Sequence, residues 1–377
     1  MHIPFRYDIP AAGNNFYGRD DDISKIVNIL SSCGSVVVYG EPGTGSKSLS
    51  LAALSKFRIN NPDVVVAEVD FMRARTTEDI LLAYADGVLK AFGSTAQDFK
   101  ELSESYLGGT HLVFDVERYS DNGQVLSFNW LPDRDDVERV ISLPSAIVAG
   151  RGLKVLLYFH HFQNILFPED SDMLLSALEK VAENSQCCSM LFTGSQFNRL
   201  REIFDVRRYF WMTAVRLIPS TIEMSLIVDY VFKGFQTQGK VLEKNIIIGA
   251  VEVLRSNPMY ISQLFSIVDA GARGYVNAQA VQDGLDILIK SNSNRFISCV
   301  NSLTDFQLSL LKAILDGETR FSAASVIEKY RLNSSANVKR LKDALTKKEI
   351  VWFDEEDIPH IQDILFELWL RKEYFAQ

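Results

Sequence analysis

The chain has 377 residues, of which 47% are hydrophobic and 23% are charged, as is ordinary for a folded protein with large buried cores. A chain of this length typically forms two or three domains. The net charge of −9 argues against a protein that coats nucleic acid or an anionic membrane with its whole surface. No apolar run approaches the roughly 20 residues that span a bilayer.

The four cysteines contain no C-x-x-C pair. Cys187 and Cys188 are adjacent in an apolar run, where a strand would point them to opposite faces. We expect buried free thiols in a reducing compartment. The opening "MHIPFRYDIPAAGNNF" lacks the charged and apolar regions of a signal peptide, which predicts a cytoplasmic protein.

The first third of the chain alternates helical and strand patterns. Residues 16–32 have a helical apolar period with acidic residues at its start. The run "SVVVYG" predicts a buried parallel strand, and a Gly-rich loop and the helix "SLSLAALSKF" follow it. "DVVVAEVDF" predicts a second strand, and "TTEDILLAYADGVLKAF" a helix capped by Thr76 or Thr77.

After an irregular stretch at about 105–140, the alternation resumes. "LKVLLYFHHF" predicts a third strand, "SDMLLSALEKVAENS" a helix, "CCSMLFTGS" a fourth strand and "VRLIPS" a fifth. Strands that alternate with helices predict an α/β domain, in which crossover helices flank a parallel sheet.

The pattern changes after Pro219, where four helical segments follow without a strand. The C-terminal region then shows three short helices followed by a strand, a turn and a strand, which is the winged-helix pattern. We therefore predict a P-loop domain at 1–218, an all-α lid at 219–295 and a winged helix at 296–377.

The loop "GEPGTGSKS" departs by one position from the phosphate-binding pattern G-x-x-x-x-G-K-[ST]. Ser46 stands where lysine is expected, and the lysine follows at Lys47. A strand, a Gly-rich turn and a helix nevertheless form the context in which backbone N–H groups face phosphates. The predicted nucleotide-binding residues are Gly40, Gly43, Thr44, Gly45, Ser46, Lys47 and Ser48, with Ser48 as the candidate Mg²⁺ ligand.

Several motifs, in the same order, resemble those of the archaeal-type ATPases, which are P-loop proteins of the ASCE/STAND class. "FYGRDDDI" resembles the family's F-x-G-R-E-x-E-[IL] opening, and "SLTDFQLSLLKAI" and "ILFELWLRK" resemble its winged-helix signature. The resemblance covers nearly the full length. It implies a P-loop sheet with flanking helices, a helical lid and a C-terminal winged helix, with ATP or ADP and Mg²⁺ as possible ligands.

The sequence departs from this family where its chemistry resides. In "VLLYFHHFQNI", His160 and His161 occupy the positions of the Asp that orients Mg²⁺ and the Glu that polarises water. Neutral imidazoles do not replace carboxylates around a hard cation. Trp211 and Met212 stand where Gly-Arg is expected, and "RSNPMY" keeps Pro258 but lacks the glycines of the lid turn.

Phosphoryl transfer depends on positioned charges, so these losses predict poor hydrolysis. The preferred hypothesis is a catalytically degenerate nucleotide-binding switch or scaffold, with a loop that binds nucleotide weakly, is empty, or holds a small anion. The alternative is an active ATPase in which Lys47 reaches the phosphates and another carboxylate substitutes, with Asp70 and Asp115 as neighbours that have no assigned role. His160 and His161 face opposite sides of a strand, and His111 and His360 are distant, so no shared metal site is expected.

The winged helix leaves two kinds of partner open. Its predicted recognition helix "SSANVKRLKDALTKK" is basic, which suits DNA phosphates, and Ser334 or Ser335 caps it. The wing "WFDEEDIP" is acidic, and residues 296–377 carry a net charge of −2. A protein partner, bound through the winged helix or the lid, is therefore favoured over nucleic acid, and no membrane partner is expected.

Overall fold

The computed structural model describes residues 4–184 and 188–376, and the chain divides into two compact units. The sheet unit comprises Arg19–Gly40 and Ser46–Pro219. The helical unit comprises the residues up to Gly18, the segment Glu41–Gly45, and Ser220–Gln377. The predicted division into three domains is not tested by this grouping and stays a prediction.

In the sheet unit, helices precede and follow the strands along the chain. Its helices are α1 (Asp20–Ser31), α2 (Ser46–Asn60), α3 (Thr77–Phe92), α4 (Ala96–Tyr106), α5 (Val116–Asn122), α6 (Arg134–Arg151), α7 (Ser171–Asn184) and α8 (Phe197–Arg201). Its strands are β1 (Ser35–Val38), β2 (Val64–Asp70), β3 (Leu112–Phe114), β4 (Leu126–Phe128), β5 (Lys154–His160), β6 (Cys188–Thr193) and β7 (Ala214–Leu217).

Five of these strands form a parallel sheet in the order β2-β5-β6-β1-β7. The strands β1 and β6 are buried along their whole length, as their continuous apolar runs predict for a sheet covered on both faces. The register pairs Val38 with Thr193 and Asp70 with His160, so these strands end at one edge of the sheet. The predicted α/β fold with a parallel sheet is confirmed.

The stretch predicted to be irregular contains α4, α5 and a small antiparallel hairpin of β3 and β4. Cys188 begins β6 and is buried, whereas Cys187, predicted in the same strand, lies outside the described residues. Cys33 and Cys299 are half-buried free thiols. Residues 1–3 of the predicted leaderless start also lie outside the described residues.

The helical unit is formed mainly by helices after Pro219. They are α9 (Met224–Thr237), α10 (Lys244–Val253), α11 (Pro258–Gly271), α12 (Ala278–Ser291), α13 (Ser293–Asn301), α14 (Asp305–Leu315), α15 (Ala324–Tyr330), α16 (Ser335–Lys347) and α17 (Ile364–Trp369). Its short strands are β8 (Val241–Leu242), β9 (Tyr275–Val276), β10 (Val351–Phe353) and β11 (Pro359–Ile361).

The helical unit has one continuous core, which joins the lid helices to the winged helix. Phe5 belongs to this core and packs against the rings of Phe235 and Phe265. At the other end of the chain, Trp369 is 5% exposed and packs against Phe296, with ring centroids 5.6 Å apart. The C-terminal aromatic segment therefore belongs to the core of the helical unit.

The antiparallel pair β10–β11 forms the wing, and Ser334 caps α16 by accepting a hydrogen bond from the Asn337 amide. Both features agree with the winged-helix prediction. Within residues 4–184 and 188–376, no helix combines the length and the apolar character that a bilayer crossing requires.

Candidate functional site

The loop after β1 has the tight backbone that its glycines allow. Gly43 and Gly45 have φ values of 80° and 90°, in the left-handed region that favours glycine. Thr44 closes the turn, because its hydroxyl and its amide both donate to the Glu41 carbonyl, at 2.7 and 3.2 Å. The loop follows Gly40, and α2 begins at Ser46, so its last residues lie at a helix N-terminus.

The first turn of α2 carries Ser46, Lys47 and Ser48. Successive residues of a helix point about 100° apart, so the side chain of Lys47 leaves the helix in a different direction from that of Ser46. Lys47 is exposed, whereas Ser46 and Ser48 are half-buried. Lys47 also acts on His160, since its charge contributes to the lowered pKa of that imidazole.

His160 ends β5 as a largely buried, uncharged imidazole. Its side chain is 13% exposed, and its ring lies 4.0 Å from the ring of Tyr158. Burial lowers the pKa of His160 and outweighs the carboxylates of Asp70 and Glu68, which raise it. A neutral ring does not supply the negative charge that a hard cation such as Mg²⁺ prefers in its ligands.

His161 is fixed by a carboxylate from the neighbouring strand. Its backbone is left-handed, with a φ of 50°, and its Nδ1 lies 2.8 Å from Asp70 Oδ1. Burial raises the pKa of Asp70, but the hydrogen bonds from His161 and from the Met72 amide outweigh burial and lower it. Asp70 is therefore an ionised carboxylate at this edge of the sheet, although the sequence did not assign it a role.

The other polar residues noted in the sequence have different neighbours. Asp115 caps α5 by accepting from the Arg118 amide at 2.9 Å. His111 lies 2.8 Å from Asp136, and His360 lies 3.0 Å from Asp354. Within residues 4–184 and 188–376, one group has metal-ligand spacing, and it contains His111, Asp133 and Asp136. The two adjacent histidines of β5 do not belong to it.

The segment after His161 contacts residues at the end of β6. Phe162 is fully buried among the rings of Phe192 and Phe204. Gln163, which is 3% exposed, donates to the Ser195 hydroxyl at 3.1 Å. A hydrogen bond between side chains therefore joins the segment after β5 to the segment after β6.

The arginines near the expected Gly-Arg position are held by other groups. Arg207 pairs with Asp172 at 3.0 Å and with Glu202 at 2.5 Å. Arg208 lies over the ring of Trp211, 5.2 Å from its centroid. Trp211 and Met212 themselves are exposed.

Three contacts inside the helical unit fix the loop segment Glu41–Gly43, and no sequence motif predicted them. The Trp352 indole donates to Glu41 Oε1 at 2.6 Å. The Asn257 amide donates to the Pro42 carbonyl at 2.9 Å, and the Met259 backbone donates to the Gly43 carbonyl at 3.3 Å. Burial raises the pKa of Glu41 despite the opposing hydrogen bond from Trp352.

The basic residues of α16 divide into two groups. Lys342 pairs with Asp357 of the wing and lies over the Phe353 ring, 4.2 Å from its centroid. Lys348 donates to the Ser302 carbonyl at 3.0 Å. Three other basic side chains are exposed and are available to a partner: Lys339, Arg340 and Lys347.

A family model described as a probable winged helix domain matches residues 294–372. No curated protein sequence matches the chain. Among solved structures, a Walker-type ATPase of Pyrococcus abyssi is similar, with a TM-score of 0.65 and 15% identity over 97% of this chain and 99% of that chain.

The ORC2 protein of Aeropyrum pernix is also similar in two structures. The structure with ADPNP–ADP complexes has a TM-score of 0.57 and 12% identity, and covers 96% of this chain and 93% of that chain. The ADP form has a TM-score of 0.56 and 11% identity, with coverages of 97% and 95%. The resemblance to archaeal-type P-loop ATPases is thus confirmed for the fold, with a winged helix at its C-terminal end.

Proposed function

We propose that the chain is a P-loop ATPase-like protein that acts as a nucleotide-binding switch or scaffold of the STAND type and has lost efficient hydrolysis. The observation that carries the proposal is the pair His160 and His161 at the end of β5. One imidazole is buried and neutral, and the other is bound to Asp70. Neither position supplies the carboxylate that phosphoryl transfer uses for its metal and its water.

Nucleotide binding is supported by the shape of the loop. Gly43 and Gly45 keep the left-handed turns that bring N–H groups towards an anion, and α2 begins directly after them. The structures of the Aeropyrum pernix ORC2 protein, which are similar in fold, are ADPNP–ADP complexes and an ADP form. For this chain we infer weak binding of ATP or ADP, with Ser48 as the Mg²⁺ ligand, because the lysine is displaced to Lys47.

The test combines calorimetric titration of ATP with Mg²⁺ and measurement of phosphate release. We expect turnover near background, whereas typical enzymes reach ~10 s⁻¹. The variant His160→Asp with His161→Glu should not restore turnover, because Ser46 still displaces the lysine. Wild-type turnover near ~10 s⁻¹ that Lys47→Ala abolishes would contradict the proposal.

A second function, slow hydrolysis, is favoured by one contact. Asp70 is an ionised carboxylate beside His161, so it is the group placed to substitute for the missing carboxylates. If Asp70 serves the reaction, Asp70→Asn should remove residual phosphate release and leave nucleotide affinity within about twofold. If turnover does not respond to Asp70→Asn, this alternative is wrong.

The winged helix is proposed to bind a protein partner. The ion pair of Lys342 with Asp357 and the hydrogen bond of Lys348 to Ser302 use two of the basic residues that phosphate contacts would need. The third function, DNA binding, rests on Lys339, Arg340 and Lys347. It predicts a complex with duplex DNA whose affinity falls steeply with salt, and anisotropy measurements at two salt concentrations test this.

A further inference from the structure

The segment Glu41–Gly43 is held by two separate parts of the helical unit. The indole of Trp352, in β10, binds the Glu41 carboxylate at 2.6 Å. At the start of α11, Asn257 and Met259 donate to the carbonyls of Pro42 and Gly43. A Cβ on Gly43 would lie 2.7 Å from Asn257 Oδ1, so the Asn257 side chain approaches the Gly43 backbone more closely than any other residue at position 43 would permit.

The Asn257 side chain is itself rigid, because both its amide oxygen and its amide nitrogen form hydrogen bonds. Its Oδ1 caps α11 by accepting from the Tyr260 amide at 3.2 Å, while its Nδ2 binds the Pro42 carbonyl at 2.9 Å. The hydroxyl of Tyr260 in turn donates to Asp363, at the start of α17, at 2.8 Å. The loop therefore contacts a side chain whose own position is fixed by the fold.

Trp352 is fixed in the wing in a similar way. It pairs with His360 across the β10–β11 hairpin, and the two rings stack with centroids 4.3 Å apart. The ring of His360 is itself held in place, since its Nε2 lies 3.0 Å from Asp354 Oδ2. The wing thus presents the indole N–H in one direction, towards Glu41.

We propose that Trp352 and Asn257 are positioning residues that preorganise the phosphate loop, and that the wing serves this intramolecular contact. We call these two side chains and their bonds to Glu41 and Pro42 the latch. In the latch, the Glu41 carboxylate and the Pro42 carbonyl accept hydrogen bonds. The Gly43 carbonyl accepts a further hydrogen bond from the Met259 amide. Phosphates instead bind backbone N–H groups, so the latch and a nucleotide use different atoms of the same loop.

A loop that is ordered before the ligand arrives loses less conformational entropy on binding. The latch therefore favours nucleotide binding. It also directs the Glu41 carboxylate to the indole, which keeps this negative group from turning towards a bound phosphate. The effect of the latch on nucleotide affinity rests on the proposed nucleotide-binding function, whereas the ordering of the loop by the latch does not.

The first experiment needs no nucleotide. Amide hydrogen exchange is measured in the full-length protein for the amides of Gly43, Thr44 and Gly45. Trp352→Phe keeps an aromatic ring but removes the N–H donor, and we expect these amides to exchange at least about tenfold faster. Trp130→Phe, the same change at an exposed site in the sheet unit, is the matched control and should leave them unchanged.

A double-mutant cycle separates the latch from a general loosening of the fold. Glu41→Ala should accelerate exchange as much as Trp352→Phe, and the double variant should be no faster than either single variant. Glu41→Gln keeps an acceptor oxygen and should retain most of the protection. If loop exchange in Trp352→Phe equals that of the wild type, or if the two changes are additive, the latch does not exist.

The second experiment titrates ADP with Mg²⁺ by calorimetry. We expect Trp352→Phe to weaken binding about tenfold, and Trp130→Phe to leave it unchanged. Equal or tighter binding by Trp352→Phe would overturn the preorganising role. If ADP does not bind the wild type at millimolar concentration, the proposed function fails, and the exchange experiment still decides whether the latch holds the loop.

Discussion

The phosphate loop and the end of β5 both carry motifs of the family resemblance. They differ in which part of that resemblance each of them retains. The loop retains its shape, since Gly43 and Gly45 have left-handed backbones and several hydrogen bonds fix their neighbours. The end of β5 retains its position, because His160 still pairs with Asp70 across the sheet. We propose that its chemistry differs, because two imidazoles stand where the family resemblance places two carboxylates.

This difference has a physical reason. Shape depends on many packed groups and on hydrogen bonds to fixed partners, so the fold itself maintains it. Catalysis depends on a few charges at defined positions, and a single substitution removes each of them without disturbing the core. The neutral ring of His160 fits the end of a buried strand as well as a carboxylate would, because it carries no charge that must be solvated.

The largest expected effect concerns the packing that maintains shape. Trp369→Ala should destabilise the helical unit by ~3–5 kcal/mol, because the ring is 5% exposed and its loss leaves a cavity beside Phe296 and Phe366. The control is Trp130→Ala, at a site that is 72% exposed, which should change stability by under ~0.5 kcal/mol. Equal losses in urea unfolding would show that the C-terminal segment is not part of the core.

The next effect tests the loop backbone directly. Gly43→Ala should cost ~2–3 kcal/mol, which combines ~1–2 kcal/mol of left-handed strain with ~1 kcal/mol for a displaced Asn257 cap. Gly123→Ala is matched, because Gly123 has a φ of 75° and no atom within 4 Å of its added Cβ. It should show the strain alone in thermal or urea unfolding. If both variants lose the same stability, the close contact with Asn257 does not constrain the loop.

The third prediction concerns the displaced lysine. Ser46→Lys with Lys47→Ser restores the usual order and should tighten nucleotide binding by a factor of roughly 10–150, the value of one charged hydrogen bond of ~1.5–3 kcal/mol. Calorimetry with ADP and Mg²⁺ measures the change, and Lys47→Ser alone is the control. Weaker binding by the swapped variant, together with loss of binding in Lys47→Ser, would show that "GEPGTGSKS" works in its present order.

The smallest effect is a pair of opposite pH dependences. The pKa of His160 is lowered from 6.5 by burial, so its contribution to stability is present above pH 6.5 and is lost as pH falls towards the folded value. The pKa of His111 is raised by its hydrogen bond to Asp136, so its contribution is present below pH 6.5 and is lost as pH rises.

Urea unfolding between about pH 5 and pH 8 tests both signs. His160→Gln should flatten the fall in stability on the acid side, and His111→Gln should flatten the change on the alkaline side. If the two variants alter the same limb of the profile, the assignment of a neutral His160 is wrong.

The sequence predicted the elements that have long or strongly patterned signals. The five strands of the sheet follow from apolar runs such as "SVVV", and the Thr76 cap is one of the two residues proposed for α3. The hairpin of β3 and β4 was not predicted, since each strand has three residues and no clear alternation. Short elements of this kind are specified by their neighbours more than by their own sequence.

The site was predicted in part for a related reason. Motif spacing located the loop and the two histidines, because these residues are close together in the chain. The contact of Trp352 with Glu41 joins residues 311 positions apart, and no local pattern encodes such a pair. The bond between His161 and Asp70 depends on which strands are neighbours, so it became apparent only from the strand order.

The place of Phe5 in the core of the helical unit has a consequence for biosynthesis. Its amide donates to the hydroxyl of Tyr230, 225 positions later in the chain. At a synthesis rate of ~5–20 residues per second, the first of these residues leaves the ribosome roughly 10–45 s before the second. During that interval Phe5 has been synthesised before the helix that it packs against, so chaperone binding should concentrate on its segment until α9 has emerged.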